Sequence, residues 1–452
     1  MPGTFLYLLI MLSVISLWFL WLKRPVYEAM LVSFLVLLTV TGTWPNVLSY
    51  FHKGMSTSLL YSMAAFVLMS LLLTETRVMD GCIAIILALL GRLPGGAGYV
   101  SVVASAFMGA LSGSGPGNVM TTGAITIPAM KRSGFPPELA ANIESNASYM
   151  GNMIPPSSNI VAALGVYMGL YPASGMSTGR FWIILWGISF WFILQRMLMV
   201  FIFCRHYRVR SMAAEDIPDL RVTLRENWQG LLLPVIILLP FVLDYFLQGG
   251  FFALRLGEKG AGYFSKSILV FVPGVASLYA LLICRDKSVV SPWRIADYLG
   301  THIKSIVPSI SVCLFGYMIG ALFADLNVAA EMETFILSVR MGKLTMVVFI
   351  AALTCVLGMI IPGSSLVVMF GPAFVVVLSS TGVDPLLAAA MLPCICGVMC
   401  GITPPLGLGM YAGMSLAGSD FSKTFRNNLW WVAAQFVLEI VVLMGWLPVL
   451  GL

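Results

Sequence analysis

Four short runs of Gly, Pro, Ser and Thr interrupt long apolar stretches, and their residue types suit the coordination of small ions. The first is Ser112, Gly113, Ser114, Gly115, Pro116, Gly117 and Asn118; the second is Ile154, Pro155, Pro156, Ser157, Ser158 and Asn159. The third is Ile361, Pro362, Gly363, Ser364 and Ser365; the fourth is Ile402, Thr403, Pro404, Pro405, Leu406 and Gly407. Ser114 precedes Pro155 by 41 residues and Ser364 precedes Pro404 by 40, so the breaks form two matched pairs. An unwound segment at membrane depth survives only inside protein or beside a cavity. Paired interruptions in two halves of a chain point to the binding site of a secondary transporter.

The chemistry follows from the exposed backbone. Carbonyls at the C-end of a half-helix suit Na⁺, and N–H groups at the N-end of one suit anions. Glycine lets another group approach closely, and proline removes a donor and holds the break. Hydroxyls on Ser112, Ser114, Ser157, Ser158, Ser364, Ser365 and Thr403 add oxygen ligands. Such a set fits a hard cation better than a transition metal. A single break reads equally well as a structural kink; four at matched spacing do not.

The segment before Pro155 is polar for a buried span, with Asn142, Glu144, Ser145, Asn146, Ser148 and Asn152. Glu144, Ser148 and Asn152 recur every fourth residue and share a helix face. An intramembrane carboxylate is costly, which makes Glu144 a functional candidate. The plainer alternative is a hydrogen-bonded structural residue. Candidate substrate-binding residues are Ser114, Asn118, Glu144, Asn152, Ser158 and Ser365. Glu439, with Gln435 one turn away, reads as a structural or subunit-facing residue. Asp244 and Asp325 lie near span ends and read as solvated.

These segments require helices that cross a membrane. Of 452 residues, 59% are hydrophobic and 10% charged, far from the roughly 25% charge of soluble domains. Apolar runs long enough to span about 30 Å of hydrocarbon recur throughout. Full spans are expected at 5–22, 27–43, 57–74, 178–203, 230–247, 267–284, 305–324 and 428–450. Between them lie hairpins at 97–130 and 344–380 and broken helices at 136–172 and 385–418. The expected fold is an all-α polytopic membrane protein with two inverted repeats, each holding a re-entrant hairpin and a broken helix, plus scaffold helices. The division is scaffold 1–77, first transport half 78–175, scaffold 176–327 with a linker at 204–229, second transport half 328–420, and a C-terminal helix 421–452.

The net charge of +6 is scattered through short loops, which argues against a nucleic-acid partner. Placing the N-terminus outside assigns seventeen basic residues to the cytoplasm and seven to the other side, the expected bias. Phe5 begins an apolar run whose charges, Lys23 and Arg24, follow it, so the run reads as a retained helix and not a signal peptide. The eight cysteines form no CxxC pair and read as small packing residues. His52, His206 and His302 flank the spans, leaving no embedded base for a serine hydrolase.

Several ordered segments carry a family resemblance. They are Gly91, Arg92, Leu93, Pro94, Gly95 and Gly96; Gly109 with Ser112, Gly113 and Ser114; Ile127, Pro128, Lys131, Arg132 and Gly134; and Ile154, Pro155, Pro156 and Ser157. With Gly382, Asp384, Pro385 and the Thr403, Pro404, Pro405 break, they resemble the large membrane subunit of tripartite ATP-independent periplasmic (TRAP) transporters over residues 55–450. The resemblance implies Na⁺-coupled uptake of organic acids by an elevator motion, in the inner membrane, with no cofactor beyond the coupling ion. It implies a periplasmic substrate-binding protein and a small four-helix membrane subunit as partners, with lipid around the spans. Carried onto this chain, one sodium site lies at Ser112, Gly113 and Ser114 with Pro155 and Ser157. The other lies at Gly363 and Ser364 with Gly401, Thr403 and Pro404. The first tip departs from the family at Gly115, Pro116, Gly117 and Asn118. Two alternatives stand beside this reading: a stand-alone ion-coupled carrier of the same architecture, and, more remotely, an intramembrane hydrolase.

Overall fold

A computed structural model describes the chain apart from residues 1–4, 23, 113–114, 173, 329–341, 360 and 405. Helices make up almost all of the described secondary structure. In chain order they are α1 (Phe5–Ser16), α2 (Val26–Thr41), α3 (Val47–Met55), α4 (Ser58–Thr76), α5 (Val78–Leu90), α6 (Gly96–Ser112) and α7 (Gly115–Arg132). Then come α8 (Pro137–Met150), α9 (Ser158–Leu170), α10 (Thr178–Tyr207), α11 (Leu220–Asn227), α12 (Leu232–Leu247), α13 (Ala253–Ile283), α14 (Pro292–Thr301) and α15 (Ile303–Asp325). The last six are α16 (Lys343–Gly358), α17 (Gly363–Ser380), α18 (Pro385–Gly397), α19 (Met399–Ile402), α20 (Leu408–Ala417) and α21 (Phe421–Leu443). Among the described residues, seven helical stretches are long and apolar enough to cross a membrane.

The two hairpins and two broken helices fall where Gly and Pro interrupt the apolar runs. Helices α6 and α7 pack as one hairpin, and α16 and α17 as the other. The break at Pro155 separates α8 from α9, and the break at Pro404 separates α19 from α20. Packing across the halves is reciprocal. The second arm of hairpin 1, α7, lies against α8 and α20; the second arm of hairpin 2, α17, lies against α18 and α9. Each hairpin thus touches the first part of its own broken helix and the last part of the other. These elements form the centre: 385–402 is 94% buried, and nearly every residue from Leu139 to Tyr167 is buried, whereas α10 alternates buried and exposed residues.

The polar face of α8 is glue for this centre. Every residue from Leu139 to Met150 is buried. The Asn142 amide donates to the Thr424 carbonyl at 2.9 Å, and Asn146 to Asn428 Oδ1 at 3.1 Å. Ser145 Oγ donates to the Gly409 carbonyl at 2.8 Å. Two of these three bonds tie α8 to α21 and one ties it to α20, so they fasten one half to the other. Between α10 and α12 the chain carries the short helix α11, whose N-terminus is capped by Asp219, and its Asp216 pairs with Arg132 at 3.1 Å.

Asp244 corrects the expectation of a solvated residue. It is fully buried and accepts the Gly179 N–H at 2.7 Å and the Ser265 hydroxyl at 2.8 Å. A carboxylate there satisfies an unpaired donor in the first turn of α10 and complements the helix dipole. Asp244→Ala leaves that N–H without a partner, which costs about 2 kcal/mol. A lower melting temperature in detergent, with Ser265→Ala intermediate, is the expected result. Asp325 does lie at the surface, paired with Lys53 at 3.2 Å. Glu439 is fully buried, accepts the Gln435 amide at 2.7 Å, and lies in the interior with the buried Arg196. All eight cysteines are free.

Candidate functional site

A cavity of about 900 Å³ lies between the two halves. Its wall takes Gly115, Pro116, Gly117 and Asn118 from the first turn of α7, and Ser158 and Asn159 from the first turn of α9. It takes Gly363 and Ser364 from the start of α17, and Leu408 from the start of α20. Four helices of 10 to 18 residues therefore begin at one cavity. A helix N-terminus carries roughly +0.5 of an elementary charge, so four sum to about +2. The first N–H groups of a helix lack partners within it and are donors of the kind that bind carboxylates and other oxyanions.

Side chains add selectivity. Asn118 is 1% exposed; its amide donates to the Ser105 carbonyl at 2.7 Å, and its Oδ1 has no hydrogen-bond partner among the described residues. That oxygen is available to a ligand hydroxyl or a cation. Asn152 lines the same wall and donates to the Gly397 carbonyl at 2.9 Å, bridging the first break to the second broken helix. At its far end the cavity is bounded by Glu75, Arg77, Asp80, Tyr298 and His302. Among the described lining residues, Arg77 is the one Lys or Arg. A polar recess of about 780 Å³ shares Glu75, Arg77 and Asp80 with it. Across this recess Arg294 faces Glu75 at 3.8 Å, and hydrogen bonds from Ser288 hold the Asp286 carboxyl below its ordinary range.

The residues singled out by spacing divide by depth. Asn118, Asn152, Ser158, Gly363 and Ser364 line the cavity. Ser157, Ser365, Gly401 and Thr403 are buried. Ser157 Oγ accepts the Asn159 N–H at 3.3 Å and caps α9, and Thr403 Oγ1 donates to the Met399 carbonyl at 2.6 Å. Pro155 and Pro404 hold the breaks, with Ile154 and Thr403 extended just before them. Ser112 is the last residue of α6; Gly113 and Ser114 lie outside the described residues.

Each hairpin end abuts the matching break. A Cβ on Gly151 would fall 2.1 Å from the Gly109 backbone, and one on Gly363 would fall 2.5 Å from Gly397 Cα. The Leu406 N–H donates to the Met359 carbonyl at 2.9 Å. Among the described residues no cluster of three His, Cys, Asp or Glu side chains could hold a transition metal.

Glu144 is placed away from the cavity. Its carboxylate is fully buried and accepts five hydroxyls. Ser105, Thr122 and Ser148 reach Oε1 at 2.7, 2.5 and 2.9 Å, and Ser101 and Thr126 reach Oε2 at 2.7 and 2.5 Å. Helices α6 and α7 each offer a pair four residues apart, Ser101 with Ser105 and Thr122 with Thr126. That spacing is present in the sequence, but it gains meaning only beside its carboxylate. Tyr149 carries no sequence signal at all. Its ring sits among Gly115, Gly401 and Gly409, whose Cβ positions would lie 2.5, 1.7 and 2.3 Å from it.

Residues 6–450 match the family described as the DctM component of the tripartite ATP-independent periplasmic transporter. The C4-dicarboxylate TRAP transporter large permease protein DctM of Vibrio cholerae is 26% identical over 406 residues, covering 85% of this chain and 84% of that one. The isethionate TRAP transporter permease protein DctMQ of Oleidesulfovibrio alaskensis is 24% identical, covering 78% of this chain and 51% of that longer one. Among solved structures, Neisseria gonorrhoeae MtrF, an antimetabolite efflux pump, superposes with a TM-score of 0.64 at 13% identity, covering 90% of this chain and 84% of the other. That likeness concerns the fold.

Proposed function

This chain belongs to the DctM component family of tripartite ATP-independent periplasmic transporters, and on that premise we propose that it carries a small organic anion into the cell in symport with Na⁺. It is a multi-pass transporter subunit, not an enzyme. The observation that carries the proposal is the meeting of four helix N-termini at one cavity. A field of about +2 from helix ends balances a dicarboxylate without a buried arginine. The substrates in these relatives' names, C4-dicarboxylates and isethionate, are both anions, which favours the same class here.

Na⁺ would sit behind the anion, where hairpin ends and breaks offer carbonyls and the hydroxyls of Ser112, Ser114, Ser157, Ser364 and Thr403. Cations there add to the helix ends in attracting the substrate, so each ligand raises affinity for the other. The central elements would move as one body against the scaffold, exposing the cavity first to one face and then to the other. A periplasmic binding protein would deliver substrate and a small membrane subunit would brace the scaffold, with the large subunit in the inner membrane and its N-terminus periplasmic.

The test is uptake of succinate by proteoliposomes holding this subunit, its small subunit and its binding protein. Uptake should fall to background when Na⁺ is replaced by choline. Full uptake in choline that collapses with the proton gradient would overturn sodium coupling. Uptake without either partner would favour the stand-alone carrier. The orientation has its own check: a single cysteine at position 131 should label from the cytoplasm and one at 343 from outside. Labelling of both from one side contradicts the inverted arrangement.

A further inference from the structure

The two hairpins are fastened differently. In hairpin 1, both arms are bonded through side chains to the broken helix beside them. Ser101 and Ser105 on α6, and Thr122 and Thr126 on α7, all donate to the Glu144 carboxylate on α8. Ser148 completes the set from one turn away. Gly123 lets α7 approach, since a Cβ there would lie 3.0 Å from Glu144 Cγ. Hydrogen bonds to a carboxylate are about twice as strong as neutral ones, and these are shielded from water.

Hairpin 2 has no carboxylate fastening among the described residues; its end is tied to the second break by a backbone bond, from the Leu406 N–H to the Met359 carbonyl. Pro155 and Pro404 are 249 residues apart, so the position matching Glu144 is Pro393. Three hydroxyls of hairpin 2 bond their own helices: Thr354 to Ile350, Ser379 to Val375, and Ser380 to Val377. Its contacts to α18 and α9 are apolar, through residues such as Leu366, Phe370 and Phe374. Apolar contacts are non-directional and allow sliding; a five-donor carboxylate does not.

We propose that Glu144 is a positioning residue that makes hairpin 1 a rigid wall of the cavity, and that hairpin 2 is the compliant wall whose tip responds to ligand. This rests on the reading of the cavity as the substrate site, but the pin itself does not. Hairpin 1 then presents Asn118 and the α7 N-terminus at a fixed position. Closure over the bound anion falls to Gly363 and Ser364.

Amide hydrogen exchange of the purified complex tests both walls without measuring transport. In choline chloride, amides at 101–126 should exchange at least tenfold more slowly than those at 358–371. Adding NaCl and succinate should slow 358–371 and leave 101–126 unchanged. Glu144→Gln should speed exchange at 101–126 about tenfold without changing 345–378. If that variant does not fold, Ser101→Ala and Thr126→Val, each removing one donor, should give smaller increases in the same segment. Equal exchange in the two hairpins, or a Glu144→Gln effect spread equally over both, overturns the proposal. Slow exchange and a localised Glu144→Gln effect with no ligand response at 358–371 retains the pin and overturns the compliant wall. In that outcome the substrate-site reading is judged separately by succinate uptake.

Discussion

Replacing Gly401 by alanine should abolish uptake. The added Cβ would lie 1.7 Å from the Tyr149 ring, and the ring cannot retreat because Gly115 and Gly409 hold it on its other sides. Overpacking a core typically costs about 1–3 kcal/mol, and this contact is far below van der Waals distance. The strain falls where hairpin 1, the first break and the second break meet. Tyr149→Ala removes the obstacle, so the double variant should lose much less than the sum of the two single losses. Residues in direct contact couple in this way. Uptake and thermal stability together check it; wild-type uptake by Gly401→Ala would contradict the packing described.

The second large effect is expected at Ser364. This residue opens α17, lines the cavity, and is half-buried. Ser364→Trp would fill the cavity and displace any anion from the four N-termini, while touching little of the apolar core. Uptake should fall at least a hundredfold, with membrane insertion and detergent melting close to wild type. Ser364→Ala should retain part of the activity, because the backbone N–H groups remain. Undiminished uptake by Ser364→Trp would place the site elsewhere.

Much of this site is legible in the sequence because Gly and Pro inside apolar runs have few other uses. The four breaks, the two hairpins and the polar helix before Pro155 all stand there. Asn118, Asn152, Ser158 and Ser364 are marked by position alone, and they line one wall. What stays hidden depends on distant partners. Glu144 reads as a ligand-binding carboxylate because its four donors on α6 and α7 sit 18 to 43 residues away. Asp244 reads as solvated because it lies near a span end; its burial comes from α10 and α13 closing over it. Arg77 bounds the cavity from the junction of α4 and α5, and Tyr298 and His302 reach it from α14 and the residue after it; no local pattern announces that meeting. The glycines around Tyr149 come from three separate segments, so their common purpose emerges only in three dimensions.

The proposed cycle exposes one anion cavity, walled by four helix starts, to alternate sides of the membrane. The Gly117→Cys variant, in a chain cleared of its eight native cysteines, tests it most directly. With oriented proteoliposomes in choline, a membrane-impermeant maleimide should label the introduced thiol from the face bearing Arg77. Na⁺ with succinate should slow that labelling by more than tenfold and should open labelling from the opposite face during turnover. Labelling from one face only, at a rate indifferent to Na⁺ and succinate, would contradict the account.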